Sequence, residues 1–78
     1  MTDNELKTSI RLTIGSQLRA LRIERGLTTR QLAEAADTSH SHIVRIEAGR
    51  YNLRVDTVER ICKALGARLI IEKTNGTL

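Results

Sequence analysis

Between Thr28 and Gly49 the chain reads TTRQLAEAADTSHSHIVRIEAG, and the punctuation of this segment fits two short helices joined by one tight turn. Thr28-Thr29-Arg30-Gln31 opens it, a Ser/Thr-x-x-Gln pattern in which hydroxyl and amide cap each other's backbone groups. Leu32, Ala33 and Ala36 give the first helix a face of small and apolar residues that permits close packing. Asp37 and Thr38 break it, Ser39 is a good N-cap for a second helix running to about Ala48, and Gly49 stops that helix.

Two such helices across a tight turn have the organisation of a helix-turn-helix. At about 100° per residue, His40, Ser41, Val44, Arg45 and Ala48 fall within one arc of roughly 140° on the second helix. His42, Ile43, Ile46 and Glu47 take the other side. The two isoleucines must face a core, so the first set points outward. A short helix that offers polar side chains and an arginine has the shape required in a DNA major groove. The same face also fits a solvated helix of another small bundle.

Charge narrows the partner. The net charge of +4 favours a polyanion, and ten of the thirteen basic residues are Arg, which suits phosphate and guanine better than Lys does. With no Trp or Phe and a single Tyr, the chain lacks the aromatic platform expected of a single-strand or RNA binder, so duplex DNA is the better fit. Catalysis finds no support: His40 and His42 lie two apart and point to different faces, so they cannot share a metal. There is no Ser/His/Asp spacing, no phosphate-cradling Gly loop and no clustered carboxylate pair, and we expect no cofactor or metal. Length fits one domain. The lone Cys62 excludes an internal disulfide, no apolar run reaches spanning length, and the N-terminus lacks a signal pattern, so the expected location is the cytoplasm.

Ahead of the central segment, Leu6, Ile10, Ile14 and Leu18 recur every four residues, as in a helix, while Ile10, Leu12 and Ile14 alternate with Arg11 and Thr13, as in a strand. The reading adopted is a helix from about Thr13 to Arg25, with Ile14, Leu18 and Leu21 as its buried stripe, preceded by a mobile or strand-like arm over 1–12. Gly26 ends that helix, and Leu27 carries the core onward. Behind the central segment, Val55, Val58, Ile61, Cys62 and Leu65 form a stripe closed by Gly66. Cys62 sits on that stripe and reads as core. Leu69, Ile70 and Ile71 then follow a helix-ending Gly in a run too short for a helix and read as one strand. A solitary strand is not stable alone, so it must pair with residues 9–13 or with its copy in a second subunit.

Gly15-x-x-Leu18-Arg19-x-Leu21-Arg22, Gly26-Leu27-Thr28, Leu32-Ala33, Ser39, Ile43, Ile46-Glu47-x-Gly49 and Ile61-x-x-Ala64-Leu65-Gly66 together resemble the lambda-repressor/Cro-like (XRE) helix-turn-helix family, in one ungapped register over 14–66. The resemblance implies a mainly α fold: a compact bundle of four or five helices that binds double-stranded DNA, usually as a dimer on a palindromic operator. With the C-terminal strand added, the expected organisation is an arm (1–12), a DNA-binding domain (13–66), a dimerisation strand (67–73) and a tail (74–78). It implies that Ser41 and Arg45 occupy base-reading positions, with His40 and Val44 beside them. It places Thr29, Arg50, Asn52 and Arg54 near phosphates, and it makes Arg22 and Glu47 an ion pair. The chain departs from the family pattern at Thr29, where Gln is common, and at Asp37, where Gly is usual. Leu53-Arg54 also replaces the common Pro-Ser, so Asn52 is the remaining candidate to cap the next helix. The terminal strand resembles that of HipB-type antitoxins, where Leu69, Ile70 and Ile71 would pair across a homodimer. That resemblance adds a second expectation, an antitoxin that binds a toxin protein and regulates its own operon.

Overall fold

In the computed structural model, which describes residues 2–50 and 52–74 and for residues 3–9 the backbone alone, four helices carry the fold. They are α1 (Asp3–Glu24), α2 (Thr29–Ala35), α3 (His40–Glu47) and α4 (Val55–Ala64). Thr28 opens α2 with the expected reciprocal cap: its Oγ1 accepts from the Gln31 amide at 3.0 Å, and its own amide donates to Gln31 Oε1 at 2.9 Å. Ser39 Oγ accepts from the His42 amide at 3.1 Å and starts α3. α4 has no such help. Arg54 sits at its cap position without a side-chain cap bond, and Asn52 does not cap it either.

All four helices end in the same way. In each, the amide three places past the end reaches back five residues: Leu27 to Arg22 O at 3.1 Å, Thr38 to Ala33 O at 2.9 Å, Arg50 to Arg45 O at 3.0 Å and Ala67 to Cys62 O at 2.8 Å. This closure needs one residue in the left-handed region. Glycine supplies it three times, at Gly26, Gly49 and Gly66, and Asp37 supplies it after α2 with φ 55°. Aspartate is among the few side chains that tolerate that region, so the turn survives the loss of the usual glycine.

The core lies where α1, α2, α3 and α4 converge: Leu18 from α1, Leu32 and Ala33 from α2 with Ala36 just past its end, Ile43 and Ile46 from α3, and Val58, Ile61 and Cys62 from α4 with Leu65 after it. Ile14, Leu21 and Leu27 pack against this cluster from its edge. Cys62 is buried among these aliphatics, and burial pushes its thiol pKa up. Arg60 Nε donates to the carbonyl of Ala36 at 3.2 Å, tying α4 to the end of α2. Among the described residues no helix is long and apolar enough to cross a membrane.

The structure corrects two expectations and shows no strand over a third segment. α1 begins at Asp3, so residues 3–12 form the first part of a helix and not a strand-like or mobile arm. The four-residue recurrence of Leu6, Ile10, Ile14 and Leu18 therefore prevails over the two-residue alternation, and Thr13 is an interior residue of the helix. Val55 lies 72% exposed and off the core stripe, because it is the first residue of α4 and precedes the turn that packs. Residues 67–74 are neither helix nor strand here. With 9–13 helical, the pairing of that segment with residues 9–13 that the sequence allowed is not formed. Tyr51 and the tail past Thr74 lie outside the described residues.

α1 meets α3 backbone to backbone. A Cβ added at Gly15 would stand 2.3 Å from the carbonyl oxygen of Ile46 and 2.9 Å from that of Glu47. Both are backbone atoms, and the Ile46 oxygen is also held by the Gly49 amide at 3.0 Å. Gly15→Ala should therefore cost about 2–3 kcal/mol despite the better helix propensity of alanine, and lower the melting temperature by roughly 8–20 °C in a domain of this size. Gly26→Ala is the control: its φ is +70°, but an added Cβ there meets nothing within 4 Å. The backbone cost alone of about 1 kcal/mol should give a much smaller shift in a calorimetric scan.

Candidate nucleic-acid interface

α3 divides into the two faces that its spacing predicts. Ile43 and Ile46 are each 1% exposed, while Ser41, Val44, Arg45 and Ala48 face solvent. His40, at the first turn, is half-buried and so only partly presented. His42 sits on the flank, with Nδ1 hydrogen-bonded to Thr38 Oγ1 at 2.7 Å across the turn. The outward face carries one full positive charge, at Arg45. Glu47 is the only acidic residue of α3, and its carboxylate is 8% exposed and bound to Arg22.

That pair is bidentate. Arg22 Nε donates to Glu47 Oε2 at 2.7 Å and Nη2 to Oε1 at 3.0 Å, while Nη1 donates to the carbonyl of Leu27 at 2.8 Å. The hydrogen bond to Glu47 raises the Arg22 pKa, against the opposing effect of burial. One guanidinium thus fastens α1 to α3 and to the loop that leads into α2. Thr29 lies beside this pair. It is half-buried and shares a concavity of about 450 Å³ with Arg19, Val44 and Ala48. The structure therefore brings the start of α2 next to the outward face of α3.

After α3 the chain carries Arg50, Asn52 and Arg54, all exposed. Arg54 Nε lies 3.6 Å from Asp56 Oδ1, a solvated pair worth little energetically that nonetheless occupies the side chain. Asn52 Oδ1 accepts a hydrogen bond from Arg11 Nη2 of α1. Nothing in the local pattern announces this contact, because its partners are 41 residues apart. Arg11 is the residue of this region that sequence reasoning missed. Its available signal was an arginine amid Ile10, Leu12 and Ile14 where nothing local required one.

A family model described as a helix-turn-helix domain matches residues 13–69. The chain is 43% identical over 58 residues to the immunity repressor protein of Bacillus phage phi105, covering 74% of this chain but only 40% of that repressor. Among solved structures, the clp gene regulator ClgR of Corynebacterium glutamicum superposes with a TM-score of 0.73 at 36% identity, covering 76% of each chain. A toxin-antitoxin module from Streptococcus pneumoniae superposes with a TM-score of 0.70 at 30% identity, covering 94% of this chain and 81% of that one.

The Arg22–Glu47 pair is shielded from water, so removing one partner strands the other charge. Glu47→Ala should cost about 2–4 kcal/mol. Ala at Glu34, an exposed position on α2, should change the melting temperature by no more than a degree or two. Matching melts for the two variants would contradict the structural role given to the pair.

Proposed function

This chain belongs to the helix-turn-helix domain family, as a lambda-repressor/Cro-like member, and from that premise we propose that it is a transcriptional regulator that binds duplex DNA sequence-specifically as a homodimer. The observation that carries this reading is the division of α3: Ile43 and Ile46 anchor it in the core, and Ser41, Val44 and Arg45 stand in solvent on the other side. In the major groove Arg45 would bind a guanine through two hydrogen bonds, Ser41 would meet a neighbouring base edge, and Val44 would touch a thymine methyl. His40, nearer the protein, would donate to a base or a phosphate. Thr29, Arg50, Asn52 and Arg54 would hold the backbone on either side and fix the register. By its likeness to the phage repressor, the proposed output is repression, and the proposed location is the cytoplasm.

Dimerisation is assigned to the C-terminal segment 67–73. Leu69 and Ile70 are 49% and 64% exposed, and Ile71 is fully exposed. Leu69 also lines a groove of about 470 Å³ with Ile10, Ile14, Leu53, Val55 and Val58, whose polar lining is Arg11 and Asn52. Three consecutive aliphatics left in water beside an apolar groove fit strand pairing with a second copy, which would satisfy backbone and side chains together. Such a dimer would set two copies of α3 about 34 Å apart and prefer a palindromic operator. The near-complete superposition with the pneumococcal toxin-antitoxin module favours a second reading, an antitoxin that also holds a toxin protein. It shares the DNA-binding surface and differs in having a second protein to hold.

A mobility-shift series on a palindromic duplex selected from a random pool tests the readout. Arg45→Ala should relax preference at one base pair per half-site by about 1–3 kcal/mol. Arg50→Ala should instead weaken all sequences alike. An Arg45→Ala protein that keeps the selected preference would rule out the assigned role. For the assembly, replacing Ile70 and Ile71 together by Lys should halve the mass in sedimentation equilibrium with the monomer still helical, and an unchanged dimer would rule out the segment.

A further inference from the structure

The stretch of α1 from Arg11 to Gly15 runs along the exit of α3, and three contacts hold it there. Gly15 lies under the carbonyls of Ile46 and Glu47. The backbone of Leu12 lies against Gly49, so that a Cβ on that glycine would come within 3.1 Å of the Leu12 Cα. Arg11 Nη2 donates to Asn52 Oδ1 in the loop between Arg50 and Arg54.

The third contact has two chemical consequences. An amide has one acceptor side and one donor side. Arg11 occupies the acceptor side of Asn52, so the Nδ2 hydrogens must point elsewhere. The partner is also neutral. Among the described residues the ion pairs are Arg22–Glu47, Arg54–Asp56 and Lys63–Glu59, and no carboxylate there pairs with Arg11. An aspartate at 52 would hold the guanidinium more strongly but cancel its charge. The asparagine holds it and leaves the charge uncancelled. What the pair offers to solvent is therefore mainly donors, from the Asn52 amide and the remaining guanidinium N–H groups, flanked along the chain by Arg50 and by Arg54 with its partner Asp56. A surface of this kind suits a tetrahedral oxyanion.

We propose that Arg11 and Asn52 form one composite phosphate site, supplied jointly by α1 and the loop after α3, which takes a backbone phosphate of the bound duplex. The proposal rests on the reading of the chain as a duplex-DNA binder and adds α1 to the binding surface. Asn52 acts twice: it donates to the phosphate and positions the guanidinium. The site is blind to sequence, so its contribution is to affinity and register.

The test is the salt dependence of binding by the full chain, measured on a random-sequence duplex and on the selected palindrome. Arg11→Gln should reduce the slope of log K against log salt by about one and weaken both duplexes by a similar factor. Between about 50 and 200 mM salt, its affinity should then fall roughly threefold less than that of the parent. Arg11→Lys, which keeps the charge, should retain most of the slope. Asn52→Asp is the deciding variant. It keeps and strengthens the bond to Arg11, so the melting temperature should hold or rise, yet it cancels the charge and should reduce the slope as Arg11→Gln does. If Arg11→Gln proves poorly folded, Asn52→Asp carries the test alone. Parental slopes in a folded Arg11→Gln or Asn52→Asp protein would show that the pair is a brace only and overturn the proposal. A parent that binds the random duplex without preferring the palindrome would sink the base readout and leave this site standing. A parent that binds no duplex would sink both.

Discussion

The backbone of α1 touches the backbone of α3 at Gly15, with room for a hydrogen and nothing larger. Two turns further along α1, Arg22 grips Glu47 with the Nε–Nη2 edge of its guanidinium. These points lie seven residues, or roughly 10 Å, apart along one axis. The first sets how deep α3 can sit. The second sets how it is rotated, because a bidentate fork is directional where an aliphatic contact is not. Ile43 and Ile46 then have one side to occupy, and the remaining positions of α3 are left to the solvent.

α3 has eight residues, well below the length of about 12–15 at which an isolated helix becomes even marginally stable in water. Its helicity therefore depends on docking. The Ser39 cap satisfies an opening amide, and the closure through Gly49 satisfies the far end. The rest comes from the isoleucines and the held carboxylate. Glu47 serves a further purpose here. An acid near the end of a helix proposed to enter the groove would repel phosphate, and the fork on Arg22 both buries it and balances its charge.

Much of this was legible in the chain, because the signals were local. Thr28 with Gln31, Ser39, and the glycines at 26, 49 and 66 marked helix ends that the structure reproduces within a residue or two. The outward face of α3 followed from the placing of two isoleucines. Asp37 was readable as a left-handed residue from its tolerance of that backbone. Three things were not legible. The start of α1 was ambiguous because Ile10, Leu12 and Ile14 satisfy a helical and a strand period at once, and the structure carries one helix through all three. The exposure of Val55 was missed because periodicity assigns a face without saying where along a helix packing begins. The bond between Arg11 and Asn52 joins residues 41 apart, and no one-dimensional pattern encodes it.

Because the two faces of α3 share no residue, what the helix presents and what keeps it folded are chemically separate. Side chains at 41, 44 and 45 can drift through many alternatives while the scaffold beneath them melts at the same temperature. Under the proposed readout, a lineage of such chains can thus diversify its targets by point changes in a few solvent-facing codons. The anchoring isoleucines, Gly15 and the Arg22–Glu47 fork would meanwhile stay frozen, so comparing sister chains would reveal a variable stripe wound around an invariant one.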